Sequence, residues 1–292
     1  MKDARKDLMK LISSSFSELS KGQKLIAQFI TTHYDKAAFM TAAKLGERVG
    51  VSESTVVRFA IALGYEGYPE LQRALQELIK TKLTTVQRIE MTSDYVNDNG
   101  VFRKILRSDM DNIRVTLEEI DEETYNRAVD LLLNGKRIYI VGLRTSTALA
   151  DIMGFYLNLI LGNVRVVSQG ISDIYEQLIN VGEGDVVVAI SFPRYSRRTV
   201  EAMGFVKSKG VTTIAITDGP LSPLLNYADL SLYAKSNMAS FVDSLVAPLS
   251  LINALVIAVS LKQKNKITDI FKGLEEVWGK YNVYSDKDRN GV

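Results

Sequence analysis

The chain has 292 residues, 46% hydrophobic and 24% charged, which suits one large α/β domain or two ordinary globular ones. It contains no cysteine, so disulfides, thiolate metal sites and a cysteine nucleophile are all excluded. The formal charge of +2 is unevenly spread: residues 1–85 hold 13 Lys/Arg against 9 Asp/Glu, and the remainder 23 against 25. A mildly basic first third on a near-neutral body is compatible with a DNA-binding head.

The opening "MKDARKDLMKLISSSF" is broken by charges and has no apolar signal-peptide core, so a signal peptide is not expected. Residues 1–90 read as helices with short breaks. "SKGQKLIAQFITTHY" spaces Leu25, Ile26, Phe29 and Ile30 helically behind Ser20 as N-cap. "TAAKLGERVG" is a short helix capped by Thr41 and stopped by Gly50, and Pro69 suits the first turn of a later helix.

Between them lies "GVSESTVVRFAIALGYEGY". At 100° per residue, Val56, Phe59, Ala60 and Leu63 share one apolar face. Ser54, Thr55, Arg58 and Ala62 share the opposite one, small and polar with a single long cation. Glu53 stands only in the first turn, where a helix N-terminus favours an acid. Such a face suits entry into a major groove, because hydroxyls and arginine reach phosphates or base edges where bulky or acidic groups would not fit. The preceding helix and the "GVS" turn complete a helix-turn-helix, although a surface helical hairpin has the same outline.

Residues 91–100, "MTSDYVNDNG", read as a linker, and 101–134 as two connecting helices. From 137 onward, β-rich runs at 137–141, 164–168, 185–190, 212–216 and 230–234 alternate with helical patterns. That alternation predicts a five-stranded parallel sheet with helices on both faces, a three-layer α/β/α domain. The uncharged stretch 244–261 contains Pro248, Asn253 and several serines, and reads as a buried helix on a sheet or at a subunit contact, not a membrane span. A final helix carrying Trp278 and Tyr281 follows residue 264, ahead of a polar end.

"TAAKLGERVGVSESTVVRFAIALGYEGYPELQRAL" resembles the N-terminal helix-turn-helix of the RpiR family of bacterial transcriptional regulators, and residues 137–235 resemble the sugar isomerase (SIS) domain that follows it there. The resemblance implies a helix-turn-helix head in residues 1–90, a connecting segment 91–134 and a sensing and dimerisation domain 135–285. It also implies a cytoplasmic homodimer, with tetramers left open, that binds a two-fold symmetric DNA operator and responds to a phosphosugar or similar small anion. Carried over by position, Ser52 would cap the recognition helix, Ser54, Thr55 and Arg58 would face DNA, and Lys44 would touch a phosphate. Arg58 has two alternative partners in Glu53 and Glu66.

Two strand-to-helix junctions are shaped for an anion. "YIVGLRTSTALAD" leads from a strand through Gly142 to a hydroxyl-rich helix start, where free N–H groups can bind phosphate, or where Thr145 or Ser146 is only a cap. It is neither a Rossmann nor a Walker fingerprint. "AISFPRYSRRTVEA" repeats the arrangement with Ser191, Ser196 and Thr199 among three arginines, and strand carboxyl ends form the ligand crevice of such sheets. SIS domains commonly read Ser-x-Ser-Gly-x-Thr here. This chain reads Ser-Phe-Pro-Arg-Tyr-Ser-Arg-Arg-Thr, so Arg194 either clamps an anion or fills its place. In "TDGPLSPL", Ser222 is read as a cap. No cofactor or metal is expected, and no catalytic residue is assigned. His33, the single histidine, lies in the head, and Glu176 and Glu201 are the nearest candidate bases for the alternative reading, a sugar-phosphate isomerase with a helical appendage.

Overall fold

Residues 8–82, 85–86, 88–89, 100–170, 172–238 and 242–284 are described in the computed structural model of the chain. They divide into two units, one within residues 1–105 together with 238–243, the other within 106–237 and 244–292. The predicted linker 91–100, except Gly100, and the polar end after 284 lie outside the described residues.

The first unit is helical: α1 (Leu8–Ser15), a 3₁₀ turn (Phe16–Glu18), α2 (Lys21–Thr32), α3 (Tyr34–Ala37), α4 (Ala42–Val49), α5 (Glu53–Ala62) and α6 (Tyr68–Lys82). Ser20 caps α2 in a reciprocal box with Gln23, each side chain accepting the other's backbone N–H. Thr41 accepts from the Lys44 N–H at 3.2 Å, and Gly50 ends α4 at φ 74. Ile26, Ile30, Leu45, Phe59 and Leu71 are fully buried at the centre. Leu25, expected among the apolar residues of α2, is instead exposed beside that core.

The second unit takes in most of α7 (Val101–Glu119) and α8 (Glu122–Asn134), followed by β1 (Ile138–Gly142), α9 (Ser146–Leu161) and β2 (Val164–Val167). Next come α10 (Ile174–Gln177), β3 (Val186–Ile190), α11 (Arg197–Lys207), β4 (Thr212–Thr217), a 3₁₀ turn (Pro223–Asn226) and β5 (Leu230–Tyr233). It ends with α12 (Val246–Lys262) and α13 (Lys264–Tyr281). The five strands are all parallel, in the order β2-β1-β3-β4-β5. Alternation along each strand serves two cores. Ile138, Ile140, Val186 and Val188 pack on one face with α8, α9 and α12, whereas Tyr139, Val141, Val187 and Ala189 pack on the other with α10 and α11. The second unit is the expected three-layer α/β/α sheet, and the first is the expected helical head.

The uncharged run 244–261 forms α12 and buries Leu251, Ile252, Leu255 and Val259 against the sheet. Among the described residues no single helix is long and apolar enough to cross a membrane. The pair α12 and α13 reaches the length only across a bend of 102°. The expected connector α8 places Ala128, Val129 and Leu132 in the core beneath the sheet.

Candidate functional site

In the head, α4 and α5 are joined by a turn that only a close backbone approach allows. A Cβ on Gly46 would stand 2.7 Å from the Val51 carbonyl oxygen, and that same oxygen-bearing residue donates its N–H to the Gly46 carbonyl at 2.9 Å. Val56, Phe59, Ala60 and Leu63 are buried, as the wheel predicts, so the opposite side of α5 faces outward. Ser54, Arg58 and Ala62 are exposed there, Thr55 is half-buried, and Lys44 is exposed on α4. Arg58 makes no ion pair with Glu53 or Glu66, or with any other described residue. No carboxylate follows Glu53 on α5, so the face presents hydroxyls and one cation.

Two details differ from the sequence reading. Ser52 holds the N-cap position in extended backbone geometry, but its side chain makes no cap hydrogen bond. Its hydroxyl lies 2.9 Å from those of both Ser54 and Thr55, and this polar trio replaces the cap. Ile61 is 55% exposed and stands about 20° from Ser54 on the outer face. An apolar residue amid polar ones escaped the reading. The wheel angle was the available signal, and a branched aliphatic there suits contact with a thymine methyl.

In the sheet unit the chain leaves β1 towards β2 and returns to the other side for β3. The carboxyl ends of β1 and β3 therefore flank the point where strand order reverses, the place at which such sheets bind ligands. Gly142 pairs in register with Ile190, which brings the loop 143–146 beside the loop 191–196. Gly142 is required by packing: a Cβ would lie 2.5 Å from the Ser146 carbonyl oxygen. Thr145 occupies the N-cap position of α9 without a side-chain cap bond. Ser146 is 3% exposed. In the second loop, Ser191 is buried and accepts from the Ser196 N–H at 3.2 Å, and Ser196 in turn caps α11 through the Thr199 N–H. The Thr199 hydroxyl is wholly buried and has no hydrogen-bond partner among the described residues.

The structure accounts for the altered loop sequence. Phe192 enters the core on one face of the sheet, and the Tyr195 hydroxyl donates to Asp218 at 2.8 Å. Arg194 is exposed at φ 63, in the left-handed region, at the position where the SIS pattern has glycine. Arg144 in the first loop takes φ 61 and is also exposed. Arg197 and Arg198 are each matched by a carboxylate, Glu201 at 2.6 Å and Asp173 respectively. The Tyr175 N–H, and after it Arg198, hold the Asp173 carboxyl below the usual range. Sequence reasoning passed over Arg144, Tyr195 and Asp218 as a set. Only the pairing of β3 with β4 brings the last two together.

The remaining residues fall into structural roles. Ser222 caps its 3₁₀ turn through the Leu224 N–H, as expected. Of the candidate bases, Glu176 accepts the Asp173 N–H at 2.9 Å in a capping box, and Glu201 is held by Arg197. His33 stacks on Phe29 at 4.9 Å in the head. Among the described residues no cluster of His, Asp or Glu could hold a metal ion.

Comparison with known proteins agrees with both halves. Residues 6–82 match the helix-turn-helix domain of the rpiR family, and residues 131–258 match the SIS domain. The chain is 28% identical over 278 residues to the HTH-type transcriptional regulator HexR of Escherichia coli K12, covering 92% of this chain and 93% of that one. The sugar isomerase domain of an RpiR transcription factor from Sphaerobacter thermophilus superimposes with a TM-score of 0.58 at 25% identity, over 61% of this chain and 99% of that one. NanR of Vibrio vulnificus, solved as a complex with ManNAc-6P, has the same fold, with a TM-score of 0.58 at 19% identity over 96% and 100% of the two chains. With a helix-turn-helix head, a SIS sheet and these relatives, the chain belongs to the RpiR family of transcriptional regulators.

Proposed function

We propose that this regulator binds a two-fold symmetric duplex operator through α5 and changes its DNA affinity when a small anion, a phosphosugar or a close relative, occupies the β1/β3 crevice. The observation that carries the sensing half is the meeting of two hydroxyl-rich helix starts at the strand reversal, flanked by Arg144 and Arg194. Helix N-termini supply N–H donors to an anion, and the arginines add charge. We assign Gly142, Thr145, Ser146, Ser191, Arg194, Ser196 and Thr199 to ligand binding, and add Arg144. DNA contact falls to Lys44, Ser52, Ser54, Thr55 and Arg58, with Ile61 added. Residues 1–90 are the head, 91–134 the connection and 135–285 the sensor, with α8 serving the sensor's core. An effector that favours one arrangement of the heads would shift DNA affinity by about 1–3 kcal/mol.

We infer a sensor without turnover, working in the cytoplasm as a homodimer. The engagement of Glu176 and Glu201 in capping and ion pairing supports this over isomerisation, which needs a base poised at the sugar. Pairing through α12 is supported by Ile257 and Leu261, which are exposed on the helix side turned away from the sheet.

The test is to select duplexes from a random pool with purified protein, then titrate the selected sequence at several salt concentrations against sugar phosphates, sugar acids, inositols and plain phosphate. Salt-sensitive, sequence-selective binding that one phosphorylated compound alters is expected. That compound at a hundred times its Kd adds about 2.7 kcal/mol to the sensor and raises its melting temperature by about 5–10 °C. Turnover of a sugar phosphate without selective duplex binding would overturn the proposal.

A further inference from the structure

The start of α2 carries the wrong charge for its position in a helix. Lys21 is its first residue and Lys24 its fourth, and no acid stands in the first turn. The partial positive charge of a helix N-terminus favours a carboxylate there, as α5 has in Glu53. Lys21 is exposed and forms no ion pair among the described residues, Glu18 and Glu53 included. Lys24 rests over the Phe16 ring at 5.7 Å. The same turn lies against the start of α5. A Cβ on Gly22 would stand 3.3 Å from Thr55 Cγ2 and 3.4 Å from Val51 Cγ1, so the bare glycine lets the two helices approach. Thr55, half-buried where Ser52 and Ser54 are exposed, is the residue that this approach covers.

We propose that Lys21 is a DNA phosphate contact: with α5 in the major groove, the first turn of α2 meets the sugar–phosphate backbone beside it. The inference rests on the reading of α5 as the DNA-contacting helix and adds a second element to that surface. Contact between Gly22 and Thr55 makes the two helix starts continuous, so Lys21 borders the polar trio Ser52, Ser54 and Thr55. The side chain also fits a phosphate better than a base edge. An ammonium on a flexible stem is a point charge without the planar fork that reads bases, and backbone contacts of this kind set register and not sequence. A phosphate at this turn cancels the repulsion that Lys21 otherwise meets at the helix start.

The test uses the full chain, the duplex selected from a random pool and a scrambled duplex of the same length, over a range of salt. Lys21→Ala and Lys21→Glu are compared with Arg58→Ala and with Lys264→Ala, an exposed lysine of the second unit that controls for net charge. Lys21→Ala is expected to weaken both duplexes by the same factor. It should lower the slope of log affinity against log salt by about one for each bound head. Lys21→Glu weakens binding further, and Lys264→Ala leaves it unchanged. Neither Lys21 variant melts below wild type, because each removes a cation from a helix start. Wild-type affinity and slope for Lys21→Glu, with Arg58→Ala impaired, would overturn this contact alone. If Arg58→Ala were unimpaired as well, the reading of α5 would fall with it. Weakening confined to the selected duplex would mark a base contact, and a lowered melting temperature a structural role. Either result also overturns the proposal.

Discussion

The hydroxyl of Tyr195 donates a 2.8 Å hydrogen bond to Asp218, tying the loop after β3 to the loop after β4 at the mouth of the crevice. Asp218 is 6% exposed and also accepts from Thr217 at 3.2 Å. Tyr195→Phe keeps the ring and removes the tie. A stability loss of about 1–2 kcal/mol is expected, with weaker effector binding because the Ser191–Ser196 loop is less well held. Calorimetry of the variant with and without effector reads both effects, and an unchanged effector Kd would show that the tie is only structural.

Arg194 offers a separable pair of substitutions. Its left-handed backbone costs a non-glycine residue on the order of 1 kcal/mol, a cost that Arg194→Ala retains and Arg194→Gly relieves. Both variants are expected to lose anion affinity, while the glycine variant melts at or above the wild-type temperature and the alanine variant does not. Equal melting temperatures for the two variants would argue against strain at this position.

On the DNA side, Arg58→Ala is expected to weaken operator binding by about 1–3 kcal/mol if the guanidinium reads a base. Folding stability should change by no more than about 0.5 kcal/mol, because the residue is exposed. The salt dependence separates the roles. A slope lowered by about one unit marks a phosphate contact, and an unchanged slope with relaxed sequence preference marks a base contact.

Gly46→Ala tests the helix-turn-helix packing. The added Cβ would meet backbone at 2.7 Å, which no rotamer relieves, so α4 and the turn before α5 must separate. A loss of about 1–3 kcal/mol is expected, together with impaired operator binding even in the fraction that remains folded. Normal DNA affinity at wild-type stability would contradict the tight turn.

Tyr68 couples the head to alkaline pH. Its buried phenol donates to the Met40 carbonyl at 2.7 Å, and burial pushes its pKa up to about 12, against about 10 in an unfolded chain. The folded head thus holds this proton more tightly. The contribution is fully present below pH 10 and is lost as pH rises towards 12, by about 2–3 kcal/mol in all. Tyr68→Phe should be less stable at neutral pH and should flatten that alkaline decline. Parallel stability curves for variant and wild type from pH 9 to 12 would disprove the linkage.

Much of the architecture was legible in the residues because it is set locally. Runs such as "RIYIV" and "DVVVAI" mark strands buried on both faces, Ser20 and Thr41 mark helix starts, and the 100° wheel places Phe59 inside and Arg58 outside. The candidate site was legible only in part. The two hydroxyl-rich junctions can be read in sequence, but Tyr195 and Asp218 are 23 residues apart and meet only because β3 lies beside β4. The Ser52 hydroxyl was expected to cap a helix, and its preference for Ser54 and Thr55 depended on competition among three neighbours with similar hydrogen-bonding strength.

The sequence by itself determined which segments are helix or strand, the order of the two units and the outward face of the recognition helix, since each follows from side-chain periodicity within one segment. Tertiary structure decided what periodicity cannot carry: the strand order that opens the crevice between β1 and β3, the left-handed backbone of Arg144 and Arg194, and the burial of the polar Asn112 and Thr116 on α7. Those features arise when distant segments compete for the same hydrogen bonds and the same buried surface, as Asn112 and Thr116 do in binding the backbone at 235–237.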